Sequence, residues 1–203
     1  QMRIAKAVQA KRWGKVKALQ RILTCSKSAK LLAVKMIMSN KGAKTPGIDK
    51  VLWSTLKQYW HAAFSLRIKS YKAQPLRRIY IPKSNGKKRP LGIPTLHDRA
   101  MQALFALALK PVAETTGDSH SYGFREKRSL HDAIKQSFIC LATKVAAPWV
   151  LEADIKGCFD HISHDWLLDN IPLPKPILKQ WLTCGFIESS AFYDTREGTP
   201  HQQ

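Results

Sequence analysis

The 203 residues carry 34 Lys and Arg against 14 Asp and Glu, a net charge of +20, with 44% hydrophobic content, enough to bury one core or slightly more. Cys25, Cys140, Cys158 and Cys184 are widely spaced, with no Cys-x-x-Cys pair and no His cluster at ligand spacing, which argues against a zinc site or a disulfide framework and for a reducing compartment. The sequence has no apolar run of membrane-spanning length and no signal-peptide core at its start, so it predicts a soluble, cytoplasmic protein with no membrane partner. The charge is uneven. Residues 1–100 hold 24 Lys and Arg against only Asp49 and Asp98, while residues 101–203 hold 10 against 12 acids. Such a half repels itself unless a polyanion is present, and it predicts a nucleic-acid-binding region joined to a near-neutral one.

In chain order, residues 2–24 predict one basic amphipathic helix, with Ile4, Val8, Trp13, Val16, Leu19 and Leu23 near helical spacing and Gly14 weakening it midway. Lys11, Arg12 and Lys15 fall within this stretch. Residues 26–38 predict a second helix, capped by Ser26 or Ser28 and apolar through Leu31, Leu32, Val34, Met36 and Ile37. Lys-rich helices over Trp also suit a membrane surface, but the basic loops that follow favour RNA or DNA. Residues 41–50 have the Gly, Pro and Asp of an ordered loop. A helical pattern returns over 52–69 with Trp53, Leu56, Trp60 and Phe64.

Residues 76–94 hold two β-rich arms around Asn85-Gly86, a hairpin-turn signal. Lys83, Lys87, Lys88 and Arg89 crowd the tip, and Arg77 and Arg78 open the first arm. Forked guanidinium groups and point-charge ammonium groups together suit a triphosphate or a backbone phosphate. Basic hairpins of this kind also occur on proteins that only bind RNA. Residues 96–112 predict an apolar helix with Met101, Leu104, Phe105, Leu107 and Ala108 behind Asp98 and Arg99, ending at Pro111. A turn-rich loop over 119–125 precedes Ser129, which with Asp132 makes a capping-box-like start. The helix it opens is predicted to bury Leu130, Ile134, Phe138 and Leu141.

Residues 150–160 are the stretch around which the chain is organised. Leu151, Ala153 and Ile155 alternate with Glu152 and Asp154, which predicts a strand that Gly157 ends. Asp154 then sits near the strand end with its carboxylate outward. That placement suits Mg²⁺ holding a nucleotide phosphate; taken alone, the motif favours an Asp that caps the next turn, and the neighbouring blocks reverse that preference. Phe159 is either a ligand-facing ring or an ordinary core aromatic. Ser163 opens a further helix with Trp166, Leu167 and Leu168, and Pro174 and Pro176 begin a last one that Gly185 stops.

Taken together, these blocks resemble one family. Arg77-Arg78-Ile-Tyr-Ile-Pro-Lys83, Gly86-Lys-Lys-Arg89-Pro-Leu-Gly-Ile-Pro94 and Asp98-Arg99 resemble the first block of group II intron reverse transcriptases, also called maturases. Ser121-Tyr-Gly-Phe-Arg125 with Arg128-Ser129 is similar to their second block. Glu152-Ala-Asp154-Ile-Lys-Gly-Cys-Phe159-Asp160 is similar to the block bearing the first catalytic carboxylate. Thr45-Pro-Gly47-Ile-Asp49 resembles their N-terminal extension loop, and Gly198-Thr199-Pro200 the opening of the next block. The resemblance runs from about residue 2 to 200.

The resemblance implies an α+β fold: reverse-transcriptase-like fingers of helices plus a β-hairpin, followed by the first part of an antiparallel palm sheet, incomplete. It divides the chain into a basic helical extension (1–70), fingers (71–146) and the start of a palm (147–203). It implies RNA-directed DNA polymerase chemistry: Mg²⁺-dependent addition of a deoxynucleoside triphosphate to a primer on an RNA template, with two metals. Asp154 is the implied catalytic metal ligand, with the Ile155 carbonyl as a further one. Lys83 and Arg89 are implied at the triphosphate, and Phe159 against the sugar, excluding a 2′-hydroxyl. Lys11, Arg12, Lys15, Arg77, Arg78, Lys87, Lys88 and Arg125 are implied RNA contacts, the partners being intron RNA, RNA template and DNA primer. The chain departs from the family pattern in having His201-Gln202-Gln203 where Gln-Gly-Gly is usual, and Glu126 where Pro is usual. It has no Tyr-x-Asp-Asp run. These departures predict a truncated or frameshifted reading frame, inactive alone. A non-catalytic RNA-binding splicing cofactor is the alternative.

Overall fold

The computed structural model describes residues 1–203 except 83, 85, 144, 146, 147 and 200–203. The first helical layer is α1 (Met2–Gln9), α2 (Trp13–Cys25) and α3 (Lys27–Met38). The single helix expected over 2–24 is therefore two. Lys11 adopts φ 55°, and its N–H donates to the Val8 carbonyl at 2.8 Å, closing a turn before Gly14 is reached. The turn folds Ile4, Ala7 and Val8 back beside Val16 and Leu19, so that both short helices bury against Val112. One continuous helix could not present both apolar stripes to the same partner.

A helix shorter than the 52–69 pattern follows: α4 (Leu56–Ser65). Its start is set by Thr55, whose hydroxyl accepts from Gln58 N–H at 3.3 Å while Gln58 Oε1 accepts from Thr55 N–H at 3.0 Å. This is a capping box, and such caps contribute about 1 kcal/mol. The chain then makes a short 3₁₀ turn at Ile68–Ser70 and enters β1 (Leu76–Pro82) and β2 (Lys88–Ile93).

The spine of the fold is α5 (Leu96–Thr116), 21 residues long, with Leu104 and Met101 fully buried. It packs on α3 and α4 through Ala33, Val34, Ala62, Ala63, Ala100, Met101 and Phe105. Pro111 was expected to end this helix and instead lies within it. Proline removes the N–H that would bond the carbonyl four residues back. That carbonyl, Leu107 O, is served by the Gln1 side-chain amide at 2.9 Å, which meets the demand that a buried carbonyl find a donor.

Beyond α5 come α6 (Leu130–Leu141), α7 (His164–Asn170), α8 (Lys175–Thr183), β3 (Phe186–Glu188) and β4 (Ala191–Tyr193). Two expectations fail here. First, α6 forms behind its Ser129–Asp132 cap, but Leu130, Ile134, Phe138 and Leu141 are all at least half exposed. Second, residues 150–156 form no strand; Leu151 is 90% exposed. Alternation supplies a face but not a neighbour, and a strand without a ladder partner leaves its backbone groups to water.

The sheet that does form has four strands in the order β2-β1-β3-β4. β1 and β2 are antiparallel, in register from Arg77 opposite Ile93 to Pro82 opposite Lys88. β3 joins β1 in parallel, Leu76 opposite Phe186, and β4 returns antiparallel beside β3. The fold is mixed helix and sheet, as expected, but the sheet is built on the hairpin and is mixed rather than antiparallel. The two three-residue strands were not foreseen. Among the described residues no helix is long and apolar enough to cross a membrane.

Candidate nucleotide and nucleic-acid site

Arg77 and Arg78 are neighbours in β1 and so face opposite sides of the sheet. The Arg78 guanidinium lies over the Phe186 ring of β3, 3.9 Å from its centroid, and Phe186 stacks on Tyr193 of β4 at 5.2 Å. Beside this stack opens a recess of about 280 Å³ whose walls include Arg78, Pro90, Phe159, Asp160, Thr195 and Gly198. The Nε of Arg78 and the hydroxyl of Thr195 are buried without a hydrogen-bond partner among the described residues. Buried donors left unpaired cost about 1–3 kcal/mol each, and here both stand in the wall of an open recess.

Backbone contacts lock two distant sequence blocks together on the recess wall. Thr199 N–H donates to Phe159 O at 2.7 Å, and Gly198 N–H to Ile162 O at 3.0 Å. His164 Nε2 lies 2.7 Å from Gly198 O. Gly198 holds φ +74°, and a Cβ there would stand 2.6 Å from Asp160 O, so only glycine allows this approach. Phe159 stays 54% exposed, its ring free to meet a ligand.

Of the residues singled out by sequence, the structure thus brings together Arg78, Phe159, Asp160, Gly198 and Thr199. Lys83 lies outside the described residues. Arg89 sits half-buried in β2 opposite Ile81, and Lys88 is exposed opposite Pro82; Lys87 is exposed beside them. The sequence did not point to Thr195 or Phe186. Thr195 lies next to Arg196 and three residues before Gly198, and that proximity is the one signal available for it.

Asp154 is exposed and accepts from the Ile155 N–H at 3.0 Å. Among the described residues no three His, Cys, Asp or Glu side chains converge as a metal site. Two Mg²⁺ ions need several carboxylates, so the donor set formed by Asp154 and the Ile155 carbonyl does not fit a two-metal centre.

The basic residues have different surroundings. Lys11, Arg12 and Lys15 are exposed on the turn and first coil of α2. Arg125 instead clasps Glu114 at 2.8 Å and reaches the carbonyls of Asp118 and Ser121. That hydrogen bond holds the Glu114 carboxyl below its ordinary range and raises Arg125. Arg99 donates to Gly42 O at 2.8 Å, to Pro94 O at 3.0 Å and to Thr45 O, fastening the 41–50 loop to α5. Gly47 in that loop has no room for a Cβ, which would meet the Thr95 backbone at 2.6 Å. Asp98, 3% exposed, accepts from the Tyr71 hydroxyl and from the Thr95 hydroxyl, each at 2.7 Å, and Trp181 Nε1 donates to Tyr71 at 2.7 Å. Burial, then the Asp98 charge, raises the Tyr71 phenol far above its usual range. This network ties the start of α5 to α8, beneath the sheet.

Residues 81–201 match the family profile "Reverse transcriptase (RNA-dependent DNA polymerase)", and residues 1–66 match "N-terminal domain of reverse transcriptase". The chain is 36% identical over 183 residues to Protein YkfC of Escherichia coli, covering 83% of this chain and 48% of that protein. It is 37% identical over 181 residues to Group II intron-encoded protein LtrA of Lactococcus lactis, covering 83% of this chain and 29% of LtrA. A 91 kDa protein in the cob intron of Schizosaccharomyces pombe is 34% identical over 140 residues, 68% of this chain and 17% of that one. The chain therefore spans half or less of the length of these relatives. The basic helices α1 to α4 fall inside the first matched segment, and β2, β3, β4 and the recess residues from Pro90 to Thr199 inside the second, and the chain belongs to the reverse transcriptase family, among the group II intron-encoded reverse transcriptase/maturases.

Proposed function

We propose that this chain supplies the nucleotide- and template-handling part of a group II intron reverse transcriptase, whose reaction is addition of deoxynucleotides to a primer 3′-hydroxyl on an RNA template. The observation that carries this reading is the convergence of Arg78, Phe159, Asp160 and the Gly198-Thr199 backbone on one recess. In that recess Phe159 meets the sugar of the incoming nucleotide and excludes a 2′-hydroxyl. Arg89 on β2 approaches its triphosphate, the role that the family resemblance also gives to Lys83. Residues 1–70 act as the RNA-holding extension, 71–146 as fingers and 147–203 as the beginning of a palm. Asp154 and the Ile155 carbonyl would be Mg²⁺ ligands only together with carboxylates that the described residues do not supply. The chain alone is therefore inactive as a polymerase.

Primer extension on an RNA template with Mg²⁺ tests this directly. The pure chain gives no extension; processive extension would show that a full ligand set exists. In a longer polypeptide that carries a Tyr-x-Asp-Asp hairpin, Asp154→Asn abolishes extension with RNA affinity unchanged, while Asp160→Asn costs far less.

The second reading, a non-catalytic RNA-binding splicing module, is favoured by one observation: Asp154 is exposed, and among the described residues no group of carboxylates converges as a metal site. Both readings require salt-sensitive RNA binding dominated by residues 1–100, each neutralised phosphate contributing roughly 0.7–0.9 to the log–log salt slope. They separate at nucleotide binding. Crosslinking of a deoxynucleoside triphosphate to the hairpin or to Phe159 favours the polymerase; its absence, with tight RNA binding, favours the splicing module.

A further inference from the structure

A second cavity, of about 530 Å³, lies between α2, α5, the 68–70 turn and the loop entering α8 and shares no lining residue with the recess. Its volume falls within the roughly 300–1,000 Å³ typical of small-molecule sites. Ile68, Phe105 and Leu173 line it with apolar surface, Phe105 being 2% exposed to solvent. Lys17, Arg21 and Lys69 stand around its mouth. All three are exposed, and none forms an ion pair among the described residues. One polar group reaches the interior: the Gln20 amide donates to Ala108 O at 3.3 Å, and its carbonyl oxygen accepts no hydrogen bond among the described residues.

We propose that this cavity is a slot for one unstacked nucleobase of a single-stranded RNA, with the flanking phosphates held by Lys17, Arg21 and Lys69. The inference rests on the RNA binding proposed above and adds a subsite to it. A base offers an apolar π-face for the Ile68, Phe105 and Leu173 surface, and an N–H edge for the free oxygen of Gln20. A fatty anion carries one charge at one end and needs one cation. Three cations from two separate elements match successive phosphates on either side of an extruded base instead. Its three cations all come from the half of the chain where 24 Lys and Arg face 2 acids, so a strand drawn to that surface meets them.

The test compares the full chain with Leu173→Trp, which fills the mouth, and Arg21→Gln, which removes one cation. Ile68→Phe serves as a second filling variant should Leu173→Trp melt at a lower temperature than wild type. Each is titrated with a short single-stranded RNA and with an abasic oligomer of equal length and charge. Base contacts of this kind are worth roughly tenfold or more in affinity. The filling variants are expected to lose about that factor for the RNA and nothing for the abasic strand, whereas Arg21→Gln weakens both. A nucleoside monophosphate that competes with the RNA in wild type but not in Leu173→Trp would show that the same slot also takes free nucleotides. Wild type binding RNA and abasic oligomer equally, with a steep salt slope, overturns the slot and leaves the RNA-binding reading intact. Binding of neither strand overturns both. Oleate occupying the cavity in preference to nucleotides overturns the base assignment.

Discussion

α5 and α6 begin alike and end in opposite surroundings. Thr95 accepts from Asp98 N–H at the start of one, Ser129 from Asp132 N–H at the start of the other, and both carry apolar residues at helical spacing. Yet α5 buries ten residues and α6 none. The cap and the periodicity are therefore statements about local backbone, and coverage is a separate fact supplied by other parts of the chain. For α5 those parts are α1 to α4 and α8, all on the same chain; for α6 no described element lies over Phe138 or Ile134. The lesson extends to residues 150–156, whose alternation is as regular as that of β1 but which have no neighbouring strand.

The largest expected effect sharpens the α5 side. Asp98→Ala leaves the Tyr71 and Thr95 hydroxyls without their acceptor inside the core, and should cost about 3–5 kcal/mol of unfolding free energy in urea titration. A loss below about 1 kcal/mol would mean that water replaces the carboxylate, and the core there would not be closed. Next is Gly198→Ala. Its positive φ and the close approach to Asp160 O predict about 1–3 kcal/mol, together with weakened nucleotide crosslinking to Phe159, since the two blocks part.

A pH scan gives a smaller effect on the same packed region. Burial, with the nearby Asp98 charge, pushes the Cys184 thiol from 9.0 up to about 11, and the Tyr71 phenol is raised as well, from 10.0. Below pH 9.0 the stability associated with Cys184 is fully present. As pH rises toward 11 the unfolded chain releases protons that the folded chain still holds, so stability falls. Thermal melts at pH 8, 9 and 10 should descend in that order, and Cys184→Ala should flatten the first part of the descent. Alkylation followed by mass spectrometry should modify the exposed Cys25, Cys140 and Cys158 before Cys184. The smallest effect belongs to α6: Phe138→Glu should change stability by no more than about 0.5 kcal/mol. A cost of 2 kcal/mol or more would break the comparison, because it would mean that the face is covered in solution.

Much of the architecture was legible where the signal is local. Ser129, Ser163 and the two prolines at 174 and 176 mark helix starts that the structure keeps, and the arms around residues 83–87 pair as a hairpin. What was not legible depended on partners distant in sequence. Pro111 reads as a stop until the Gln1 amide takes over the freed carbonyl. β3 and β4, three residues each, are too short to show a period, and only pairing with β1 defines them. At the recess, the motifs singled out Arg78, Phe159 and Gly198 one by one, and only the fold shows that they line one wall. The motifs missed Thr195, whose importance lies in an unpartnered hydroxyl that no spacing reveals.

The parallel pairing of β1 with β3 has a temporal consequence. Leu76 N–H bonds Gly185 O at 3.0 Å, so the hairpin, complete at Ile93, gains its third strand at Phe186–Glu188 only after more than ninety further residues have been made. At ordinary synthesis rates that interval is roughly 5–20 s, far longer than the microseconds a hairpin needs to form. Until then the recess has no Phe186 wall and Arg78 has no ring beneath it, while α1 to α5 can already close their own core. A nascent chain would thus display its basic N-terminal helices well before its completed four-stranded sheet.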